Sequence, residues 1–99
     1  MTINTSKEGG ALRMAIEGRV DTQTSPELNK AINEIPEDVT DPVLDFTGLG
    51  YISSAGLRVV LAAQNLMDAR KGTMVIKGAA KNIVDIFKVT GFDTFLTLE

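Results

Sequence analysis

The sequence predicts one α/β domain spanning residues 1–99, a mixed β-sheet with crossover helices packed on it in the order ββαβαβαβ. Short apolar or alternating runs take turns with three segments of helical period, the pattern of strand-helix-strand units. Glycine or proline punctuates most of the joins between them. A chain of 99 residues that is 43% apolar has enough greasy surface for a single core and too little length for a second one.

Residues 2–7 and 11–20 read as two strands joined around Glu8-Gly9-Gly10, where glycine supplies the positive φ of a tight hairpin. Leu12, Met14 and Ile16 alternate with Arg13, Ala15 and Glu17, which predicts one buried face. Gly18 interrupts this strand, and Thr22-Gln23-Thr24 is a polar turn. A helix is expected from Ser25, as its cap, with Pro26 at the first helical position and Glu27 favoured by the helix dipole. Leu28, Ala31, Ile32 and Ile35 form its buried stripe.

Pro36 stops that helix, and Pro42-Val43-Leu44-Asp45-Phe46 reads as a short buried strand followed by a loop, Thr47-Gly48-Leu49-Gly50. Residues 53–70 are helical in pattern and end at Lys71-Gly72, cations in the last turn and glycine beyond. Thr73-Met74-Val75-Ile76-Lys77 is the next strand. A third helix over about residues 79–89 places Ile83, Ile86, Phe87 and Thr90 on one side and ends at Gly91. Phe95-Leu96-Thr97-Leu98 is the last strand.

Composition removes several functions. Without cysteine there is no thiol catalysis and no thiolate metal site, and without histidine there is neither a Ser-His-Asp triad nor an imidazole-bound zinc. A net charge of −3 with scattered basic residues argues against nucleic acid as a partner. No run is long enough to span a membrane and residues 1–10 lack the features of a signal peptide, so a cytoplasmic monomer with no direct membrane insertion is expected.

The most informative stretch is YISSAGLR, residues 51–58. Ser53 suits a helix cap, its hydroxyl accepting a bond from a first-turn amide. On a helical wheel with Leu57 at zero, Val59, Val60, Ala63, Leu66 and Met67 fall between about 180° and 300°, the expected core face. Ser54, Arg58, Leu61 and Asn65 fall between about 40° and 100°, beside Leu57 and away from that face. Leu57 and Leu61 are then two leucines stacked on the polar side, as in a protein-binding patch, or are covered by a loop. Gly56 would let a partner backbone, a phosphate or the preceding loop approach closely. A phosphate on Ser54 would sit at a helix N-terminus, where amides and dipole favour an anion, and would leave the fold intact.

LDFTGLGYISSAGLRVVL, residues 44–61, resembles the signature of STAS domains, in particular the bacterial anti-sigma factor antagonists. Glu17-Gly18-Arg19-Val20-Asp21 resembles that family's Gly-x-Leu/Val-Asp turn, and Val89-Thr90-Gly91-Phe92 the end of its penultimate helix. The resemblance implies a partner switch. The unphosphorylated antagonist binds an anti-sigma factor with serine kinase activity and frees the sigma factor, phosphorylation of a serine that matches Ser54 reverses this, and a phosphatase resets it. Asp21, from its match to the turn aspartate, is implied to lie near the same surface. Ser53 departs from the family pattern, standing where many members carry aspartate. The expected partner surface is thus Asp21, Ser53, Ser54, Gly56, Leu57, Arg58 and Leu61, with no catalytic residue, cofactor or metal.

Other readings are weaker. A non-enzymatic STAS subunit of a membrane transporter or sensory complex would dock through the same helix face. An enzyme with Ser53 or Ser54 as nucleophile and Asp21 or Asp45 as helper lacks an imidazole base. Gly48-Leu49-Gly50 does not complete a dinucleotide-binding pattern, since Ser53 occupies the third glycine position. Asp21 with Asp45 is too thin a set for a metal.

Overall fold

Apolar and polar side chains alternate along β2 (Ala11–Val20), burying Leu12, Met14, Ile16 and Val20 while Arg13 and Glu17 face solvent. β1 (Thr2–Glu8) pairs with it antiparallel, Ile3 opposite Ile16 and Thr5 opposite Met14. The computed structural model describes residues 1–8 and 11–99, and the turn expected at Gly9 and Gly10 lies outside the described residues.

The remaining elements are α1 (Ser25–Asn33), β3 (Val43–Asp45), β4 (Leu49–Ile52), α2 (Ser54–Ala69), β5 (Val75–Lys77), α3 (Lys81–Thr90), a 3₁₀ turn at Phe92–Thr94 and β6 (Thr97–Leu98). The sheet order is β1-β2-β3-β5-β6, with β4 added beside the far end of β2. The pairs β2–β3, β3–β5 and β5–β6 are parallel, so helices provide the crossovers. One core joins Leu12, Met14, Ile16, Leu44 and Ile76 of the sheet to Leu28 and Ile32 of α1, Val60, Ala63 and Met67 of α2, and Ile83 and Phe87 of α3. This is the mixed α/β sheet the sequence predicts, with one strand more.

That additional strand is β4. Leu49-Gly50 looks like loop in sequence, yet Leu49 and Ile52 are both buried and β4 runs parallel to residues 18–20 of β2. Gly18 does not end the strand. It takes φ +92° at a register shift in β2, a backbone that an L side chain resists. Its amide donates to the carbonyl of Gly48 at 2.9 Å. Before this point β2 is bonded to β3, and after it to β4.

At the other end of α2 the terminating residue also differs from expectation. Lys71, not Gly72, adopts the left-handed conformation, at φ +61°, and Arg70 is the cap. The Arg70 guanidinium donates to the carbonyls of Pro36, Val39 and Ile35 at 2.8, 2.9 and 3.2 Å, tying the α1–β3 loop to the helix. Gly72 is pressed against Thr40 of that loop: a Cβ there would lie 1.8 Å from the Thr40 carbonyl oxygen.

Asp45, at the end of β3, is buried and fully engaged. The Thr47 hydroxyl and amide donate to its Oδ1 at 2.6 and 2.9 Å, and Arg13 pairs with Oδ2. These bonds, the Thr47 hydroxyl foremost, hold its carboxyl below the usual 3.8. Because the folded state binds the proton less readily than the unfolded chain, the stabilisation is complete above pH 3.8 and is lost as pH falls through the lower folded-state pKa. Thr47→Val is therefore expected to lower the melting temperature most near neutral pH, with the deficit shrinking towards pH 2. Thermal unfolding followed across pH checks this, and a deficit independent of pH would assign the loss to packing.

Candidate functional site

The candidate surface forms where two parallel strands end together. Val20 pairs with Ile52, and the amide of Ser53 donates to the Val20 carbonyl at 2.8 Å. Asp21 and the Ser53-Ser54 pair consequently leave adjacent strand ends, one into the turn before α1 and the other into the first turn of α2.

Asp21 organises its own turn. Its Oδ1 accepts the amides of Gln23 and Thr24, both at 3.0 Å, and lies 3.1 Å from the Thr24 hydroxyl, which also accepts the Asp21 amide at 2.8 Å. The Thr24 amide above all keeps this carboxyl below its usual range. Asp21 and Thr24 thus cap the turn between them. The expected cap, Ser25, is instead the first helical residue and buried, with Thr24 at the cap position.

The two serines divide their roles. Ser53 has extended backbone, φ −90° and ψ 175°, and its hydroxyl accepts the Gly56 amide at 3.3 Å, while its carbonyl accepts the Leu57 amide at 2.9 Å. It is the cap. Ser54 is the first residue of α2 and exposed, and its hydroxyl makes no hydrogen bond among the described residues. Modifying it removes no contact on which the fold depends.

Gly56 faces the interior, and of the close approaches open to it the structure shows that of the preceding strand. A Cβ on it would lie 2.7 Å from both Ile52 Cγ1 and Val20 Cγ1, so its bare backbone lets the start of α2 close on the β2–β4 pair. Leu57 departs from expectation: it is only 7% exposed and belongs to the core. The buried face of α2 lies further towards Leu57 than the apolar pattern predicts. Gly56 and Gln64 are buried with Val60, Ala63 and Met67, whereas Val59 is only half-buried, which turns the inward direction towards Leu57. The outward face of α2 is then Ser54, Arg58, Ala62 and Asn65, with Leu61 half-buried at its margin.

Two residues of this surface escape sequence reasoning. Tyr51 is 40% exposed, and the Arg19 guanidinium lies over its ring at 4.3 Å from the centroid, a cation–π contact. Arg19 Nε also lies 3.9 Å from Asp21 Oδ2. Arg19 and Tyr51 are direct cross-strand partners, a relation visible only once β4 is known to be a strand. From α3, Asn82 donates to the Gly50 carbonyl at 3.4 Å. An aromatic ring and two arginines, residue types enriched at protein interfaces, thus border the tip of α2 beside the exposed Ser54.

Among the described residues no three side chains of metal-ligating type come together, and no helix is long and apolar enough to cross a membrane. The chain is similar to anti-sigma factor antagonists and, in fold alone, also to a sulfate transporter family protein from Wolinella succinogenes, with a TM-score of 0.79 at 17% identity over 90% of this chain and 73% of that one. "Putative anti-sigma factor antagonist BtrV" of Bordetella bronchiseptica is 29% identical over 93 residues, covering 93% of this chain and 80% of BtrV. An anti-sigma factor antagonist from Mycobacterium paratuberculosis has the same fold, with a TM-score of 0.81 at 24% identity over 98% of this chain and 83% of that one. So has the Bacillus cell fate determinant SpoIIAA in its phosphorylated form, with a TM-score of 0.77 at 15% identity over 99% of this chain and 91% of SpoIIAA. A family model described as "Mlab, STAS domain" matches residues 3–98, and the chain belongs to the STAS domain family.

Proposed function

We propose that this protein is a non-enzymatic anti-sigma factor antagonist whose binding is switched at Ser54. The observation that carries the reading is the separation of tasks at the start of α2: Ser53 caps the helix, leaving the Ser54 hydroxyl exposed and without a structural bond. The names of the similar proteins support the antagonist role, and a relative of this fold solved in phosphorylated form supports the modification. The partner is an anti-sigma factor with serine kinase activity. It transfers the γ-phosphoryl group of ATP to Ser54 Oγ, breaking the bond to ADP and releasing the hydroxyl proton. A phosphatase restores the serine by hydrolysis.

The surface that meets the partner comprises Asp21, Ser53, Ser54, Arg58 and Leu61, extended by Arg19 and Tyr51. Leu57 and Gly56 support it from within. Phosphorylation adds about −1.5 to −2 charges in the middle of a surface that binding must desolvate. A monomer in the cytoplasm, where sigma factors act, completes the reading.

Ser54→Asp is expected to weaken binding of the anti-sigma factor at least about tenfold, or about 1.4 kcal/mol. Its melting temperature should stay within about 4 °C of wild type, as for an exposed position. The test is affinity capture from lysate of the source organism with both proteins as bait, followed by incubation of the captured kinase with ATP and mapping of the phosphopeptide. Capture of an ATP-binding kinase by wild type alone, with phosphate on Ser54, supports the switch. Recovery of the same transporter or sensory proteins by both baits would make this a constitutive docking subunit.

A further inference from the structure

Resting on the reading of Ser54 as the modified residue, we infer that Arg58 is the internal counter-ion of the Ser54 phosphate, so that phosphorylation also takes a cation away from the partner surface. Ser54 and Arg58 stand at i and i+4 on the outward face of α2, both exposed. Residues with that spacing are neighbours along a helix, about 5–6 Å apart at Cβ. A phosphate adds to the reach of serine, and the planar guanidinium presents paired donors that match its oxygens.

Little competes for this pairing. Arg58 has no ion-pair partner among the described residues, and the first turn of α2 contains no acidic residue. Of the other charged groups around this end of the molecule, Arg19 is stacked on Tyr51 and near Asp21, and Lys81 at the start of α3 is paired with Asp85 at 3.0 Å. Asp21, on the adjoining strand end, repels a phosphate. Nor do all the amides of the helix end remain free: that of Gly56 is held by the Ser53 hydroxyl and that of Leu57 by the Ser53 carbonyl.

The surface therefore changes twice in one step. Before phosphorylation Arg58 is an unpaired cation beside Ser54, available to a carboxylate of the partner. Afterwards the phosphate occupies its donors.

The test needs neither kinase nor partner. Phosphoserine is installed at position 54 during translation, in the wild-type chain and in Arg58→Gln, and the second ionisation of the phosphate, near pH 6, is followed by ³¹P NMR. The wild-type midpoint is expected at least about 0.3 pH unit below that of Arg58→Gln, the shift an i,i+4 ion pair of ordinary strength produces. Coincident midpoints, or a lower one in the variant, would overturn the pairing. Because the phosphate arrives without a kinase, failure here leaves the switch at Ser54 standing. Conversely, if no kinase phosphorylates Ser54, the titration still reports on Arg58.

Discussion

Gly72→Ala is expected to destabilise the protein by about 3 kcal/mol or more, and so to lower its melting temperature by roughly 12 °C or more. The added methyl would fall 1.8 Å from the Thr40 carbonyl oxygen, 2.4 Å from its carbon and 2.6 Å from its Cβ, distances that no rotamer change relieves. Nor can the loop retreat. Arg70 holds the carbonyls of Ile35, Pro36 and Val39, the Thr73 amide binds the Asp41 carboxylate, and Val75 donates to Pro42 at 3.1 Å. On the other side the Gly72 amide is bonded to Met67 at 2.9 Å. The entropy alanine saves in the unfolded chain, about 0.4–1 kcal/mol, is too small to offset this. Denaturant unfolding should show a lower midpoint with an unchanged slope. A loss below about 1 kcal/mol would show that the loop yields. The site at the opposite end of α2 should keep its partner binding in folded protein.

The contrast between Gly72 and Lys71 shows what a linear pattern conveys. Cations and then glycine after an apolar helical run mark where α2 ends, because termination is a local property of the backbone. Which residue takes the positive φ, and which one must be bare, depends on a loop some 30 residues earlier in the chain, and no local pattern records that. Gly91 behaves as expected, since at φ +78° it caps α3 and a Cβ on it would meet nothing within 4 Å.

The candidate site was legible to the same degree. Asp21 enters the site only through the resemblance to the family's turn aspartate, whereas Ser53 as cap and Ser54 and Arg58 as outward-facing follow from capping chemistry and helical period. The direction of the helix's inward face did not, because a polar residue, Gln64, is buried and a valine, Val59, is only half so. Gly48 and Gly50 disguise β4 as loop, although Leu49 and Ile52 are both buried. With β4 went the Arg19–Tyr51 stack, which exists only through the pairing of β2 with β4.

Gly56→Val tests whether this site is supported from inside the fold. Its Cβ would meet Ile52 Cγ1 and Val20 Cγ1 at 2.7 Å and the Val20 carbonyl oxygen at 3.2 Å. Both side chains are β-branched, with restricted χ1, and both are buried, so neither swings aside cheaply. Valine also lacks the helix propensity that would return about 1 kcal/mol to an alanine here. The expected outcome is a loss of about 3 kcal/mol together with loss of partner capture, as the first turn of α2 lifts from the β2–β4 pair and takes Ser53 and Ser54 with it. Gly56→Ala should show a milder form of both effects, because the clash of a single methyl is partly offset by the gain in helix propensity. Denaturant unfolding and capture, run on the same preparations, distinguish this from a partner-facing role, one of the alternatives the sequence leaves open for Gly56. A glycine facing a partner would lose capture on substitution at undiminished stability, whereas one that seats the helix loses both in proportion to the size of the side chain.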